Sequence, residues 1–94
     1  MLKIEIEENG SKGRFVIYEE SIEAGEMTFT WAGKDKFIID HTYIGKEYGG
    51  KGYGKKLLSE AINYARKKEV RILPLCPFAK AMFERDNSTH DVLA

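Results

Sequence analysis

Polar and apolar positions change rhythm halfway along this chain. From Lys3 to Glu8 they alternate, with Ile4 and Ile6 on one side and Lys3, Glu5 and Glu7 on the other. A period of two marks a half-buried strand. Asn9-Gly10-Ser11-Lys12-Gly13 supplies a turn, and Arg14 to Glu19 a second strand carrying Phe15, Val16, Ile17 and Tyr18. Ile22 to Gly25 is expected to turn again. Met27, Phe29 and Trp31 then alternate with Thr28 and Thr30 in a third strand, and Gly33-Lys34-Asp35 closes a hairpin. Phe37 to Ile44 is more continuously apolar, which predicts a central fourth strand. Short connections make these four strands an antiparallel meander.

After Gly45 the period lengthens. Leu57, Leu58, Ala61, Ile62 and Ala65 recur at helical spacing, opposite Lys55, Lys56, Glu60, Asn63 and Arg66. This predicts an amphipathic helix from Gly52 to Lys68, whose basic end Arg66-Lys67-Lys68 complements the helix dipole. Val70 to Leu75 predicts a fifth strand, parallel to the fourth because a helix joins them. Pro77 is suited to open a short helix through Phe78, Met82 and Phe83, which Asp86-Asn87-Ser88-Thr89 ends. Asp91 to Ala94 is a candidate terminal strand. The expected fold is α+β, one domain over residues 1–94, with a mostly antiparallel sheet and a parallel β-α-β step.

Fifteen acidic residues balance fifteen basic ones among the 94. No whole-protein field therefore draws in nucleic acid or an anionic membrane, and neither is an expected partner. Cys76 is the single cysteine, so an internal disulfide and a CxxC metal site are excluded. With only His41 and His90 as imidazoles, no metal is expected. The start, Met1-Leu2-Lys3-Ile4-Glu5, lacks the apolar stretch of an export signal, and no apolar run approaches the roughly 18 residues of a membrane span. A cytoplasmic location is the expectation.

The densest chemical signal is Tyr48-Gly49-Gly50-Lys51-Gly52-Tyr53-Gly54-Lys55-Lys56, set between a strand and the long helix. Glycines let a backbone approach a ligand closely, and the free N–H groups at a helix start attract anions. A pyrophosphate suits such a place, with Lys51, Lys55 and Lys56 adding charge; the plainer alternative is a tight loop that lets helix and sheet pack. Gly49 to Lys55 fits the first seven positions of the nucleotide P-loop G-x-x-x-x-G-K, but Lys56 stands where a magnesium-binding Ser or Thr belongs. The dinucleotide pattern G-x-G-x-x-G also fails, its third glycine falling on Lys55.

Gly50-Lys51-Gly52-Tyr53-Gly54 resembles the acetyl-coenzyme A motif of the GNAT acetyltransferase superfamily, written Q/R-x-x-G-x-G/A, although Gly49 replaces the Arg or Gln of its first position. Ile39-Asp40-His41-Thr42 before the loop and Cys76-Pro77-Phe78-Ala79-Lys80 after the fifth strand extend the likeness to a minimal, stand-alone GNAT-type family, from about Ile4 to the end. The resemblance implies the GNAT fold, with strands four and five splaying to admit pantetheine. It implies binding of acetyl-CoA or coenzyme A as co-substrate and acetyl transfer to an amine, a lysine or a small molecule. The implied cofactor-binding residues are Ile44, Gly49, Gly50, Lys51, Gly52, Tyr53, Gly54 and Lys55, with Phe78 packing on the cofactor or filling the core and Lys80 meeting a phosphate or standing solvated.

An amine that attacks a thioester must lose a proton, the departing thiolate gains one, and the carbonyl oxygen needs a hydrogen-bond donor. His41 suits the base, with Asp40 as the alternative; period two places His41 beside Ile39 and Tyr43, and Asp40 beside Ile38, Thr42 and Ile44. Cys76, ahead of a helix, suits a general acid or a transiently acetylated nucleophile; a buried small hydrophobe is its bland alternative. Many GNAT enzymes use a tyrosine on the following helix as the acid, but no tyrosine follows Tyr64 here. Only Asn9 to Gly13 separates the first two strands, where larger GNAT enzymes carry two helices beside the acceptor. The acceptor site is then shallow, completed by another subunit, or absent. A non-catalytic acyl-CoA binding module and a small partner-binding domain are the rival readings, and the chain is expected to be a monomer or a weak homodimer.

Overall fold

The computed structural model describes residues 1–94 and turns the two rhythms into one five-stranded sheet with helices on one face. The strands are β1 (Leu2–Asn9), β2 (Lys12–Glu19), β3 (Ile22–Trp31), β4 (Lys36–Ile44) and β5 (Arg71–Pro74), and they lie side by side in that order. β1 to β4 are antiparallel; β4 and β5 are parallel, joined through helix α1 (Tyr53–Lys68). Helix α2 (Pro77–Arg85) follows β5. This is the mixed α+β sheet that the period change predicts.

Three boundaries differ from the sequence reading. The expected turn at Ile22 to Gly25 is strand, and the reversal lies one step earlier, at Glu20 and Ser21, with φ of 51° and 69°. Two non-glycine residues in the left-handed region carry no compositional signal, so the glycine at 25 drew the turn towards itself. The expected terminal strand at Asp91 to Ala94 is a 3-10 turn, Asn87–Val92, followed by a single parallel bridge from Leu93 to Ile72. Bidentate pairing of Arg66 with Asp91 (2.9 and 3.0 Å) and the bond from Arg66 to the Ser88 carbonyl (2.9 Å) hold that turn against α1. The third difference is in β4 and belongs to the site.

α1 packs its apolar stripe, Leu57, Leu58, Ala61, Ile62 and Ala65, chiefly over β2 to β5. Beneath the middle and C-terminal part of the helix lies an aromatic cluster. Phe29 touches Phe15 and Phe37 at centroid distances of 5.1 and 5.0 Å, Trp31 meets Phe37 at 5.4 Å, and Tyr64 caps the group from α1. The opposite face of the sheet is polar, centred on Arg14, which reaches Glu7, Glu23 and Glu26 at 2.9–3.0 Å.

Candidate active site

The parallel pairing of β4 and β5 runs from Lys36–Arg71 to Ile39–Pro74 and stops. The last bonds are those that Leu75 and Cys76 donate to the Ile39 carbonyl, at 3.2 and 3.1 Å. β4 continues to Ile44 beside β3 alone, while the chain after Pro74 leaves the sheet for α2. The two strands therefore diverge above Ile39, and the gap between them is bridged by the Cys76 thiol, 3.3 Å from Thr42 Oγ1.

A register shift in the β3–β4 pairing shapes this gap. Phe29 opposes Ile39 but Thr28 opposes His41, so Asp40 is the extra residue of a bulge. The shift exchanges the faces that simple alternation predicts. Thr42 and Ile44 join Phe37 and Ile39 on the helix side, while His41 and Tyr43 stand on the polar side with Ile38. The sequence grouping of His41 with Ile39, and of Thr42 with Ile38, is thus corrected by one inserted residue. Asp40 accepts a bond from Thr30 Oγ1 at 2.7 Å, and His41 is exposed with its carbonyl accepting from Thr28 Oγ1 at 3.4 Å.

The bond from Gly45 N–H to the Ala24 carbonyl (2.8 Å) fixes which way the peptide groups of this segment point. Residues 41, 43 and 45 turn theirs to β3; Thr42 and Ile44 turn theirs into the gap. Cys76 stands at its far wall. The thiol is 4% exposed and lies 3.3 Å from Thr42 Oγ1. It is the N-cap residue of α2, with Pro77 at the first helical position. Burial alone would push its pKa up, but hydrogen bonds from the Thr42 side chain and from the N–H groups of Ala79, Phe78 and Thr42 outweigh that, and the thiol is held below its ordinary value.

Above the gap, the glycine loop exposes its main chain. Gly50 and Gly52 have φ of 80° and 77°, conformations in which an L side chain is strained. Gly52 is also the N-cap of α1. The loop's own hydrogen bonds end at Gly49 N–H to the Lys46 carbonyl (3.4 Å) and resume at Lys56 N–H to the Gly52 carbonyl (3.1 Å). The N–H groups of residues 50–55 have no acceptor in the chain, a row of donors at the positive end of a 16-residue helix. A pyrophosphate is the guest such a row fits.

The side chains named from sequence divide sharply around this row. Ile44 borders the gap and Lys55 stands exposed at the first turn of α1. Gly54 lets α1 meet α2: a Cβ there would lie 2.8 Å from Cζ of Phe78. Phe78 is half-buried and fills the corner between the two helix starts, so this corner is walled by a ring and does not stand open. Lys51 and Tyr53 reach for Glu19, and Lys51 still lines one groove with Gly52, Lys55 and Lys56. Lys51 Nζ bonds Glu19 at 2.9 Å and sits 5.5 Å from the ring centroid of Tyr48, and the buried Tyr53 gives its hydroxyl to the same Glu19. Those two bonds from Tyr53 and Lys51 hold the Glu19 carboxyl below its usual range. Lys80 is exposed and lines a separate depression with Leu73, Leu75 and Phe83, away from the glycine loop. Sequence reasoning missed Glu19, the post that fixes the loop, and Thr42, the partner of the sulfur; only the adjacency of Thr42 to His41 hinted at the latter.

Similar proteins share this fold. A family model described as GCN5-related N-acetyl-transferase matches residues 14–92. The solution structure of a GCN5-like N-acetyltransferase candidate from Staphylococcus aureus is 36% identical, covering 96% of this chain and 87% of that one with a TM-score of 0.72. A GNAT acetyltransferase from Elizabethkingia anophelis with acetyl-CoA bound superposes with a TM-score of 0.71 at 11% identity, over 89% of this chain and 72% of that one. A ribosomal-protein-alanine N-acetyltransferase from Brucella melitensis gives 0.71 at 16% identity, over 82% of this chain but only 62% of that longer one. The comparison with curated protein sequences yields no match.

Proposed function

The chain belongs to the GCN5-related N-acetyltransferase family, and from that premise we propose that it binds acetyl-CoA and moves the acetyl group to an amine through the gap between β4 and β5. The observation that carries the reading is the unpaired N–H row of residues 50–55, ending beside a gap whose wall holds Cys76. Gly50, Gly52 and the first turn of α1 bind the diphosphate, with Lys55 and Lys56 as free cations beside that place. Ile44 and the peptide groups of Thr42 and Ile44 line the path of the pantetheine arm. For that arm to enter, the ring of Phe78 swings from Gly54 and becomes its wall. Lys51 and Tyr53 act through Glu19 by fixing the loop, and Lys80 has no part in the site.

His41 and Thr42 are neighbours in a strand, so His41 and the sulfur of Cys76 flank the gap from opposite faces of the sheet. An amine approaching the polar face meets His41, which takes its proton. The nitrogen attacks the thioester carbon, whose oxygen gathers charge beside the Thr42 N–H. The carbon–sulfur bond breaks, and Cys76 gives its proton to the departing thiolate. A thiol held below the ordinary value delivers that proton downhill to a thiolate of ordinary basicity. The same groups support a second reading, in which the Cys76 thiolate attacks first, coenzyme A leaves as the thiolate, and the amine, giving its proton to His41, then takes the acetyl group and frees the Cys76 thiolate.

The test is a titration with coenzyme A followed by amide chemical shifts, paired with thiol release from acetyl-CoA over a panel of amines. Perturbation of residues 50–55 together with Thr42 and Ile44, and release lost in Cys76→Ala and reduced in His41→Ala, is the expected result. Unmoved amides there would remove the binding reading; binding without release would leave an acyl-CoA module.

A further inference from the structure

The sheet has two edges, and they are finished differently. The β5 edge is four residues long, ends at Pro74, and is covered by the Leu93 bridge and by Ala94 N–H on the Ile72 carbonyl (2.8 Å). The β1 edge is eight residues long, contains no proline, and pairs with β2 without a bulge. Such an edge is a template for another strand unless something blunts it. It is also apolar on the helix side, where Leu2 and Ile6 are about two-fifths exposed and α1 does not cover them.

The peptide groups that face outwards can be identified. Glu20 N–H bonds the Met1 carbonyl at 3.2 Å, so odd-numbered residues of β1 turn their peptide groups to β2. Leu2, Ile4 and Ile6 therefore present theirs to solvent. A second copy arriving antiparallel about a two-fold axis pairs even residues with even ones. Among the registers this allows, one sets Ile4 against Ile4, Leu2 against Ile6 and Lys3 against Glu5, joining apolar to apolar on one face and opposite charges on the other. A shift of two residues towards the strand's end puts Glu5 against Glu5; a shift the other way puts Lys3 against Lys3. The strand is self-complementary in one register only, and like charges in direct opposition penalise its neighbours.

We propose that the β1 edge is the interface of a symmetric homodimer, in which two sheets join into one of ten strands through Leu2, Ile4 and Ile6, with Lys3 and Glu5 setting the register. The occupant is a second copy because the charge order reads as its own complement. In that register Ile6 of the second copy lies beside Leu2, which lines the open groove that Lys55 and Lys56 flank.

Sedimentation or light scattering across a concentration series up to about 1 mM tests this. The expected mass tends to twice the 10.7 kDa monomer. Lys3→Glu and Glu5→Lys are both on the polar face, where their side chains are 69% and 44% exposed, so neither disturbs the core. Each alone aligns like charges and weakens dimerisation at least tenfold. An equimolar mixture of the two variants associates again, since each charge then meets its opposite, and that recovery also certifies that both fold. A wild-type chain that stays monomeric throughout overturns the proposal and leaves the edge to a strand of another protein. A dimer that ignores both substitutions overturns it as well.

Discussion

The lower half of the sheet and its upper end are built on opposite terms. Below Ile39, β4 is paired on both sides and Phe15, Phe29, Phe37 and Tyr64 interlock under α1. There β4 has strand partners on both sides, and apolar burial supplies the stability. Above Ile39, β4 loses its parallel neighbour, a bulge reverses its faces, two glycines hold positive φ, and the N–H groups of residues 50–55 are left free. The difference teaches that the proposed binding end is made by withholding local satisfaction, and that the packed end must compensate for it. If so, substitutions below the divergence should act through folding and those above it through ligand.

The hardest test of the packed end is Phe37→Ala. The ring is fully buried between Phe29 and Trp31. Its removal should cost about 3–5 kcal/mol of stability, read as a lower urea midpoint, with acetyl transfer lost only as the folded fraction falls. Unchanged stability would dissolve the comparison.

Next in size is Cys76→Ala, which should lower thiol release by about a hundredfold while leaving the fold nearly intact, as expected of a lost proton donor. The pH profile then separates the two routes. With Cys76 as acid, activity declines on the alkaline side, beginning below the pH at which an ordinary thiol of pKa about 8.5 ionises; with Cys76 as nucleophile, activity rises over the same range. Stability gives an independent check. Because the folded thiol is held low, the wild type gains stability over Cys76→Ala as pH rises through the folded pKa towards the unfolded one, and the gain vanishes below that window.

Gly52→Ala probes the boundary between the regions. A left-handed φ of 77° costs a side chain about 1–2 kcal/mol. Nothing lies within 4 Å of the added Cβ, so the penalty is conformational, with no clash to add to it. Coenzyme A affinity should fall about tenfold, equivalent to about 1.4 kcal/mol, as the N–H row is turned. Calorimetric titration measures it; equal affinity would show that the row is not what grips the diphosphate.

Legibility followed the same division. The packed half repeats a period, so strands and α1 could be read directly: Phe29 and Trp31 alternate, and Leu57 to Ala65 trace one helix face. The loop's exposed main chain was equally plain, because glycines before a helix state a backbone property. What could not be read was direction. A bulge at Asp40 has no composition of its own, yet it decides that Thr42, and not His41, meets the sulfur. Lys51 reads as a phosphate ligand until Glu19, far away in sequence, claims it. Glu20 and Ser21 turn without a glycine because the flanking strands hold them there.

The smallest expected effect falls on that Glu19 post. It receives the Tyr53 hydroxyl and the Lys51 ammonium, and so ties the loop to the end of β2 without touching the ligand path. Glu19→Gln keeps the size and removes the charge; the loop should loosen, and coenzyme A affinity should drop by about two- to fivefold, the scale of a partly exposed ion pair. The sign with pH follows from the lowered carboxyl pKa. The pairing is fully present above the usual carboxylate range and fades as pH falls through the folded value, so the wild-type advantage in affinity should shrink in acid and disappear once Glu19 is protonated. High salt should shrink it too. An advantage that persists unchanged in acid and in salt would mean that Tyr53 packing alone positions the loop, and the binding end would then rest on the same apolar terms as the half beneath it.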